Sequence, residues 1–250
     1  MSIAACSGFI NLDEAHLDKP VYRVLPFDRL LQSLVARELV LSKPKLWDDP
    51  FENALLKGAF RTQDGSRYSF VAQNYVYGQC WTLHRETDAM WRIYSAAAKG
   101  VRVSSTPRKL LRALQDHDPQ FATSHCFIGR VTYQTKAEIL RSLGNLRVLA
   151  DAGPAIAESL LFKRNEFRHE REVRLIYYNS RHVGHEADVL RVPIDPNALW
   201  DKVVFDPRAD EEVVHAQMRA ARALGYTGGM TQSTLYRIPT DLVHRKPVRN

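Results

Sequence analysis

Two glutamates stand two residues apart in the segment 162–178, FKRNEFRHEREVRLIYY, where a dense run of charges meets an apolar ending. Side chains at positions i, i+2 and i+4 of a strand point to the same side. We therefore predict that Glu170, Glu172 and Arg174 form a row on one strand face, roughly 6 to 7 Å apart per step. The opposite, buried face would carry Val173, Leu175 and Tyr177. Such a charged row could hold ribose hydroxyls and a developing cation, or it could be a salt-bridge ladder facing solvent.

A second charged position lies near the start of the chain, in VYRVL (21–25). Tyr22 and Arg23 fall on opposite faces of this short β-prone run. A guanidinium is planar and permanently charged, so Arg23 would suit a phosphate or a pyrophosphate if it pointed into a cleft. The alternative is an arginine on the protein surface.

The stretch DAMWRIY (88–94) places Trp91 and Tyr94 three residues apart on a predicted helix. An aromatic stripe of this kind is more typical of core packing. Beside a cleft, the same rings could stack on nicotinamide, adenine or another base.

The acidic stretch LWDDPFEN (46–53) is interpreted as a rigid corner, because Asp49 precedes a proline and is pushed towards extended geometry. Asp48, Asp49 and Glu52 together could also bind a hard cation such as magnesium. No second acidic cluster at a known spacing accompanies them, so we predict no metal site. The chain also contains no P-loop and no Rossmann fingerprint.

The elements that would position these residues are read from periodicity and turn signals. Predicted strands are 21–25, 76–83, 101–105, 126–134, 171–179, 188–194, 202–207 and 233–238, and predicted helices are 26–38, 86–100, 106–117, much of 136–168, and 209–226. This order predicts one α+β domain with a mixed, mainly antiparallel β-sheet flanked by helices. We expect a flexible leader over 1–20, the domain over 21–243 and a basic tail over 244–250.

Composition sets broad limits. The 250 residues carry a formal net charge of +7, which favours contact with an anionic partner such as nucleic acid or a dinucleotide. Three widely spaced cysteines argue against a disulfide framework and for a reducing compartment. Without a membrane-length apolar run or a signal peptide, we expect a cytoplasmic protein that does not contact membranes. Delivery by a specialised secretion machine would leave no such mark.

Five segments in order resemble bacterial domain-of-unknown-function family 2971. They are VYRV, LSKPKLWDDPFE, QCWTL, MWRIYSAAAKGVRV, and K-x-x-x-F-x-x-E-x-E-x-R from Lys163 to Arg174. The resemblance spans roughly residues 20 to 240. Asp48, Trp81, Thr82 and Phe167 depart from the residues usual in that family.

More distantly, the layout is similar to that of ADP-ribosyltransferases of the Arg, Ser, Glu type. This resemblance implies a split sheet and NAD as substrate. It implies that Arg23 steadies the NAD phosphates or ribose, that Thr82 supports the site, and that Glu172 holds the nicotinamide ribose and stabilises an oxocarbenium-like transition state. Glu170 would face the acceptor. Together with the residues singled out above, the candidate catalytic residues are Arg23, Glu170 and Glu172, and the candidate NAD contacts are Tyr22, Arg23, Thr82, Trp91, Tyr94 and Arg174.

Three functions are therefore weighed. The first is an NAD-consuming ADP-ribosyltransferase that modifies a protein or nucleic acid as a toxin, effector or defence component, with an antitoxin or immunity partner allowed for. The second is a non-catalytic module that binds nucleic acid or a protein partner. The third is a metal-dependent nuclease that uses Asp48, Asp49 and Glu52.

Overall fold

The computed structural model describes residues 8–47, 49, 59–61, 67–69, 74–144, 152–179 and 187–238. Within these, the strands are β1 (Phe9–Ile10), β2 (Val21–Pro26), β3 (Glu38–Ser42), β4 (Ala59–Arg61), β5 (Arg67–Ser69), β6 (Val76–Thr82), β7 (Gly100–Ser105), β8 (Cys126–Arg130), β9 (Thr132–Gln134), β10 (Phe162–Arg164), β11 (Glu172–Tyr178), β12 (Val189–Pro193), β13 (Lys202–Phe205) and β14 (Gly229–Gln232). The helices are α1 (Glu14–Leu17), α2 (Phe27–Ala36), α3 (Asp88–Tyr94), α4 (Pro107–His117), α5 (Ala122–His125), α6 (Lys136–Gly144), α7 (Ala152–Ser159), α8 (Pro196–Leu199) and α9 (Glu211–Ala223).

One large sheet organises the molecule. Its strands run in the order β1-β8-β11-β6-β2-β7-β13-β14, and β3 joins β6 and carries β12 at its other edge. The β1–β8 and β13–β14 pairs are parallel, and the other pairs of this sheet are antiparallel. The predicted α+β fold with a mixed, mainly antiparallel sheet is confirmed.

The sheet is split between β2 and β6. β6 pairs with β11 over seven residue pairs, and β2 pairs with β7 over six. Between β2 and β6 themselves, Tyr22 and Thr82 form the single residue pair. Beyond that pair the two strands diverge, so a gap opens in the centre of the sheet.

Both faces of β11 are buried. Val173, Leu175 and Tyr177 of β11 belong to one apolar cluster, and Ile176 and Tyr178 belong to a second on the opposite face. The alternation predicted for this strand is therefore present, but its second face packs against protein.

Two predicted elements are wrong. Lys163 to Arg168 is not the end of a helix, because Phe162–Arg164 is a strand parallel to β9 and Asn165–Glu170 is a 3-10 helix. The apolar run Leu160–Phe162 fits helix and strand equally by periodicity, and pairing with β9 decides between them. Residues 233–238 do not form a strand either. The last described strand is β14, and Ile238 remains 77% exposed.

Two further differences concern the boundaries. The predicted helix over 86–100 ends at Tyr94, and Gly100 begins β7. Residues 8–20, expected in a flexible leader, are part of the fold, since β1 pairs with β8 and Leu17 is buried. The tail 244–250 lies outside the described residues. Among the helices that the structure describes, none has the length and apolar character to cross a membrane.

Candidate active site

The two glutamates lie at a junction between elements. Glu172 is the first residue of β11, whereas Glu170 ends the 3-10 helix. Arg171 between them adopts the left-handed conformation, with φ 44° and ψ 55°. A non-glycine residue held there costs roughly 1–3 kcal/mol, so the surrounding contacts must enforce it. The prediction that Glu170, Glu172 and Arg174 share one strand row is therefore wrong for Glu170.

The charged groups form a buried cluster. The Lys163 ammonium donates to Glu170 Oε2 and, over 2.9 Å, to Glu172 Oε1. Arg174 Nε donates to Glu172 Oε2 over 2.6 Å. Glu170 and Glu172 are each 6% exposed, and Arg174 is fully buried. The alternative of a solvent-facing ladder is therefore wrong.

Arg174 contacts Glu172 from the protein interior. Its Nη1 donates to the Leu160 carbonyl over 2.7 Å, and its guanidinium lies 4.7 Å from the centre of the Trp47 ring. Trp47 in turn requires a glycine at position 78, since a Cβ there would lie 2.7 Å from the indole. Arg174, a candidate NAD contact, thus contacts the protein interior and does not line the cavity described below.

Three hydroxyl groups hold the carboxylate pair in place. Tyr94 Oη donates to Glu170 Oε1 over 3.2 Å. Thr82 Oγ1 donates to the Glu170 carbonyl over 2.6 Å and accepts from the His84 N–H over 3.0 Å. Tyr133 Oη accepts from the Glu172 N–H over 2.8 Å. The Thr82 hydroxyl therefore fixes the backbone of the site.

Tyr22, Thr82 and Glu172 lie side by side across three strands, because Thr82 is in register with both of the others. At this point the β2–β6 gap opens into a cavity of about 110 Å³. Its lining includes Arg23 from one side of the gap and Glu170 and Glu172 from the other. The full lining is Tyr22, Arg23, Val24, Cys80, Trp81, Thr82, Met90, Tyr94, Glu170 and Glu172.

The cavity adjoins a wider cleft of about 560 Å³ between β2, α2, β3 and β6. The two share part of their lining, namely Arg23, Val24, Cys80, Trp81 and Tyr94. The combined space lies within the range of small-molecule sites, which measure about 300–1,000 Å³.

Arg23 carries a charge that no described carboxylate neutralises. Its side chain is half-buried, and its Nη1 is enclosed without a hydrogen-bond partner among the described residues. Burial lowers the pKa of Arg23. A guanidinium is not deprotonated in proteins, so Arg23 keeps its charge. A cation desolvated in this way favours an anionic ligand.

The two carboxyl groups differ in proton affinity. Burial and the neighbouring Glu172 charge raise the pKa of Glu170 to about 7. Burial alone would raise the pKa of Glu172 as well, but the charges of Arg174 and Lys163 bring it down to about 2. Near neutral pH, Glu172 is a fixed anion and Glu170 can exchange a proton.

Other predicted residues lie elsewhere. Trp91 is 1% exposed, donates from Nε1 to Glu86 over 2.8 Å and is absent from the cavity lining, which fits the core-packing alternative. Asp49 accepts two hydrogen bonds from Arg164. Asp48 and Glu52 lie outside the described residues. Within the described part of the chain, no group of three or more His, Cys, Asp or Glu side chains could hold a metal ion.

Lys163 and Tyr133 are the site residues that sequence reasoning missed. Lys163 opens the K-x-x-x-F-x-x-E-x-E-x-R segment, so its position in that segment was a usable signal. Tyr133 had no signal, because its contact with Glu172 spans 39 positions along the chain.

No protein-family model matches the chain, so the resemblance to family 2971 is not confirmed, and no curated protein matches it. Among solved structures, it is similar to the DarT protein of Thermus sp. 2.9 in complex with NAD+, at 11% identity over 86% of this chain and 96% of that one, with a TM-score of 0.41. The same protein in complex with ADP-ribosylated ssDNA matches at 12% identity, over 86% and 94% of the two chains, with the same TM-score. These values are too low to transfer an activity, so the site must be judged by its own geometry.

Proposed function

We propose that this protein is an NAD-dependent ADP-ribosyltransferase. The observation that carries the proposal is that Arg23 and the Glu170–Glu172 pair line one cavity where the sheet splits. A permanent cation and a buried carboxylate pair meet there, which supports the ADP-ribosyltransferase-like arrangement expected from the sequence.

Arg23 and Glu172 divide the binding of NAD between them. The Arg23 guanidinium stabilises the pyrophosphate as a charge-assisted, bidentate donor. Glu172 is held by Lys163 on one oxygen and by Arg174 on the other, so it presents a fixed negative charge. Placed beside the nicotinamide ribose, this carboxylate accepts from a ribose hydroxyl and stabilises the positive charge that develops on the sugar.

Glu170 acts on the acceptor. The bond between ribose C1′ and the nicotinamide nitrogen breaks, and its electron pair leaves with nicotinamide. The acceptor nucleophile forms a bond to C1′, and its proton passes to Glu170. A carboxyl group with a pKa of about 7 is suited to this step, because a general base works best when its pKa lies near the operating pH.

The two spaces suit the two ends of NAD. The 110 Å³ cavity beside the glutamates takes the nicotinamide end, and the 560 Å³ cleft takes the remainder of the dinucleotide. Tyr22 and Tyr94 line the small cavity and supply ring surfaces. Trp91, which is buried in the core, has no part in this arrangement.

The test is transfer of label from adenylate-labelled NAD to a cell extract, together with release of nicotinamide. We expect Glu172→Gln to lower turnover by at least about 100-fold, the usual effect of removing one electrostatic stabiliser of a transition state. Glu166→Gln is the matched control, because Glu166 is exposed on the same 3-10 helix and should leave turnover unchanged. Absence of transfer and of nicotinamide release from the folded wild-type protein would refute the proposal.

A second surface, lined by arginines, supports either an anionic acceptor for the transferase or the alternative of a nucleic-acid-binding module. Arg130, Arg168 and Arg171 line a concavity of about 600 Å³, together with Tyr133. Phosphate contacts release counterions, so binding of single-stranded DNA or RNA to this surface should weaken steeply with salt. If the acceptor is nucleic acid, Arg130→Gln reduces transfer without changing nicotinamide release in the absence of acceptor.

The metal-dependent nuclease gains no support from the described residues, because Asp49 is paired with Arg164. The roles of toxin, effector or defence component, with an antitoxin or immunity partner, belong to the transferase proposal as its biological context. They are tested by whether expression of active protein, but not of Glu172→Gln, arrests growth.

A further inference from the structure

Lys163 occupies the centre of the charged cluster. Its Nζ contacts one oxygen of Glu170 and one of Glu172, and its side chain is 5% exposed. We propose that Lys163 is a positioning residue: its ammonium clamps the two carboxyl groups side by side, so that one stays ionised while the other exchanges a proton with the acceptor. This rests on the transferase proposal for its catalytic consequence, but not for the clamp itself.

Lys163 belongs to a separate two-stranded sheet formed by β9 and β10. β10 pairs with β9 in parallel, and Lys163 is in register with Tyr133. From these neighbouring positions, Lys163 reaches both carboxylates and Tyr133 accepts the Glu172 N–H. The β9–β10 pair thus contacts the carboxylate pair from outside the main sheet.

A lysine is an expensive choice for a buried position unless anions pair with it. Here two carboxylates and the face of Phe167, 4.6 Å from Nζ to the ring centre, surround the ammonium. An apolar side chain would have filled the same position of β10 without the cost of burying a charge. The two-carboxylate contact is therefore best explained by the need to hold Glu170 next to Glu172 despite their repulsion.

The groups facing the pair come from several elements. Besides Lys163 on β10, they are Tyr133 on β9, Tyr94 on α3, Arg174 on β11, and Arg23 and Cys80 across the cavity. Of the neighbouring charges, Lys163 lowers the pKa of Glu170 and Glu172 raises it. Removal of the ammonium should therefore make Glu170 hold its proton to higher pH.

The experiment is a carboxyl titration by NMR on protein labelled at the glutamate Cδ, with Glu170→Gln used to assign the Glu170 signal. An opposite charge at contact distance shifts a carboxyl pKa by about 1–3 units, so Lys163→Met should raise the Glu170 midpoint by that amount. Lys163→Arg, which keeps the charge, should return most of the shift. The matched control is Lys43→Met, because Lys43 is an equally buried lysine that packs over the Tyr77 ring outside the carboxylate cluster.

An unchanged midpoint in Lys163→Met, or an equal shift in Lys43→Met, overturns the clamp. Should Lys163→Met not fold, Lys163→Gln, which keeps a polar side chain but not the charge, tests the same contact: the Glu170 midpoint again rises, and a constant midpoint overturns the clamp. In the turnover assay, the acidic limb of the pH profile moves up in parallel with the midpoint in Lys163→Met. If the midpoint moves but the wild-type protein releases no nicotinamide, the clamp stands and the transferase proposal fails.

Discussion

Replacing Arg174 with methionine tests whether its buried guanidinium stabilises Glu172 and the folded protein. Methionine keeps most of the apolar stem but removes the guanidinium, which is fully buried. The change deletes the 2.6 Å hydrogen bond to Glu172, the 2.7 Å hydrogen bond to the Leu160 carbonyl and the contact with the Trp47 ring. Glu172 then keeps Lys163 as its remaining cationic contact within the cluster.

The expected loss in free energy of unfolding is about 3–5 kcal/mol, the cost of removing one partner of a buried ion pair. This figure includes the unsatisfied Leu160 carbonyl, so the two effects are not summed. With an m-value of about 3 kcal/mol/M in urea, the unfolding midpoint should fall by about 1–2 M. Arg191→Met is the matched control: Arg191 is 60% exposed and pairs with Glu38 at 3.0 Å, so its loss should cost less than about 1 kcal/mol.

A second variant separates the lost pair from a general packing defect. In Arg174→Met with Glu172→Met, both members of the pair become apolar, and exchanging a buried ion pair for apolar side chains is often neutral. We therefore expect the double variant to unfold at higher urea than Arg174→Met alone. The reasoning is refuted if Arg174→Met costs no more than Arg191→Met, or if adding Glu172→Met destabilises the protein further.

Two other predictions concern Glu170. Its pKa is raised from 4.5 to about 7, so the folded state binds this proton more tightly; the resulting stability is fully present below about pH 4.5 and is lost as pH rises through about 7. Urea titrations from pH 4 to 8 should show that loss in the wild type and not in Glu170→Gln, while turnover, which needs the ionised base, rises over the same interval. Thr82→Val leaves the Glu170 carbonyl and the His84 N–H without the hydroxyl that pairs with them, so the free energy of unfolding should drop by about 1–3 kcal/mol. The exposed control Thr227→Val should change it by no more than about 0.5 kcal/mol.

The strands that carry the site could be predicted because their local pattern agrees with their environment. VYRVL and VYGQCWTL are rich in β-branched and aromatic residues, and Val173, Leu175 and Tyr177 alternate correctly. No local sequence pattern indicates which strands pair with one another. Tyr22 meets Thr82, and Thr82 meets Glu172, across gaps of tens of residues.

The misplaced residues share a physical cause. Arg171 takes a left-handed conformation that sequence propensity disfavours. Periodicity alone therefore predicts that Glu170 belongs to β11, whereas Glu170 lies before the first residue of that strand. The polar neighbours of Lys163 predict a helix end, whereas pairing with β9 makes Lys163 part of a strand. In both cases tertiary contacts override a local preference, which is expected where a site constrains the backbone.

The different proton affinities of the two glutamates follow from the cations that each one contacts on either side of the break at Arg171. On a continuous strand, Glu170, Glu172 and Arg174 would stand on one face, with the arginine adjacent to Glu172 and two steps from Glu170. The break turns Glu170 towards Lys163 and Tyr94, while Glu172 stays beside Arg174. Glu172 thus contacts two cations and Glu170 one, so the carboxyl group that keeps its proton near neutrality must be Glu170.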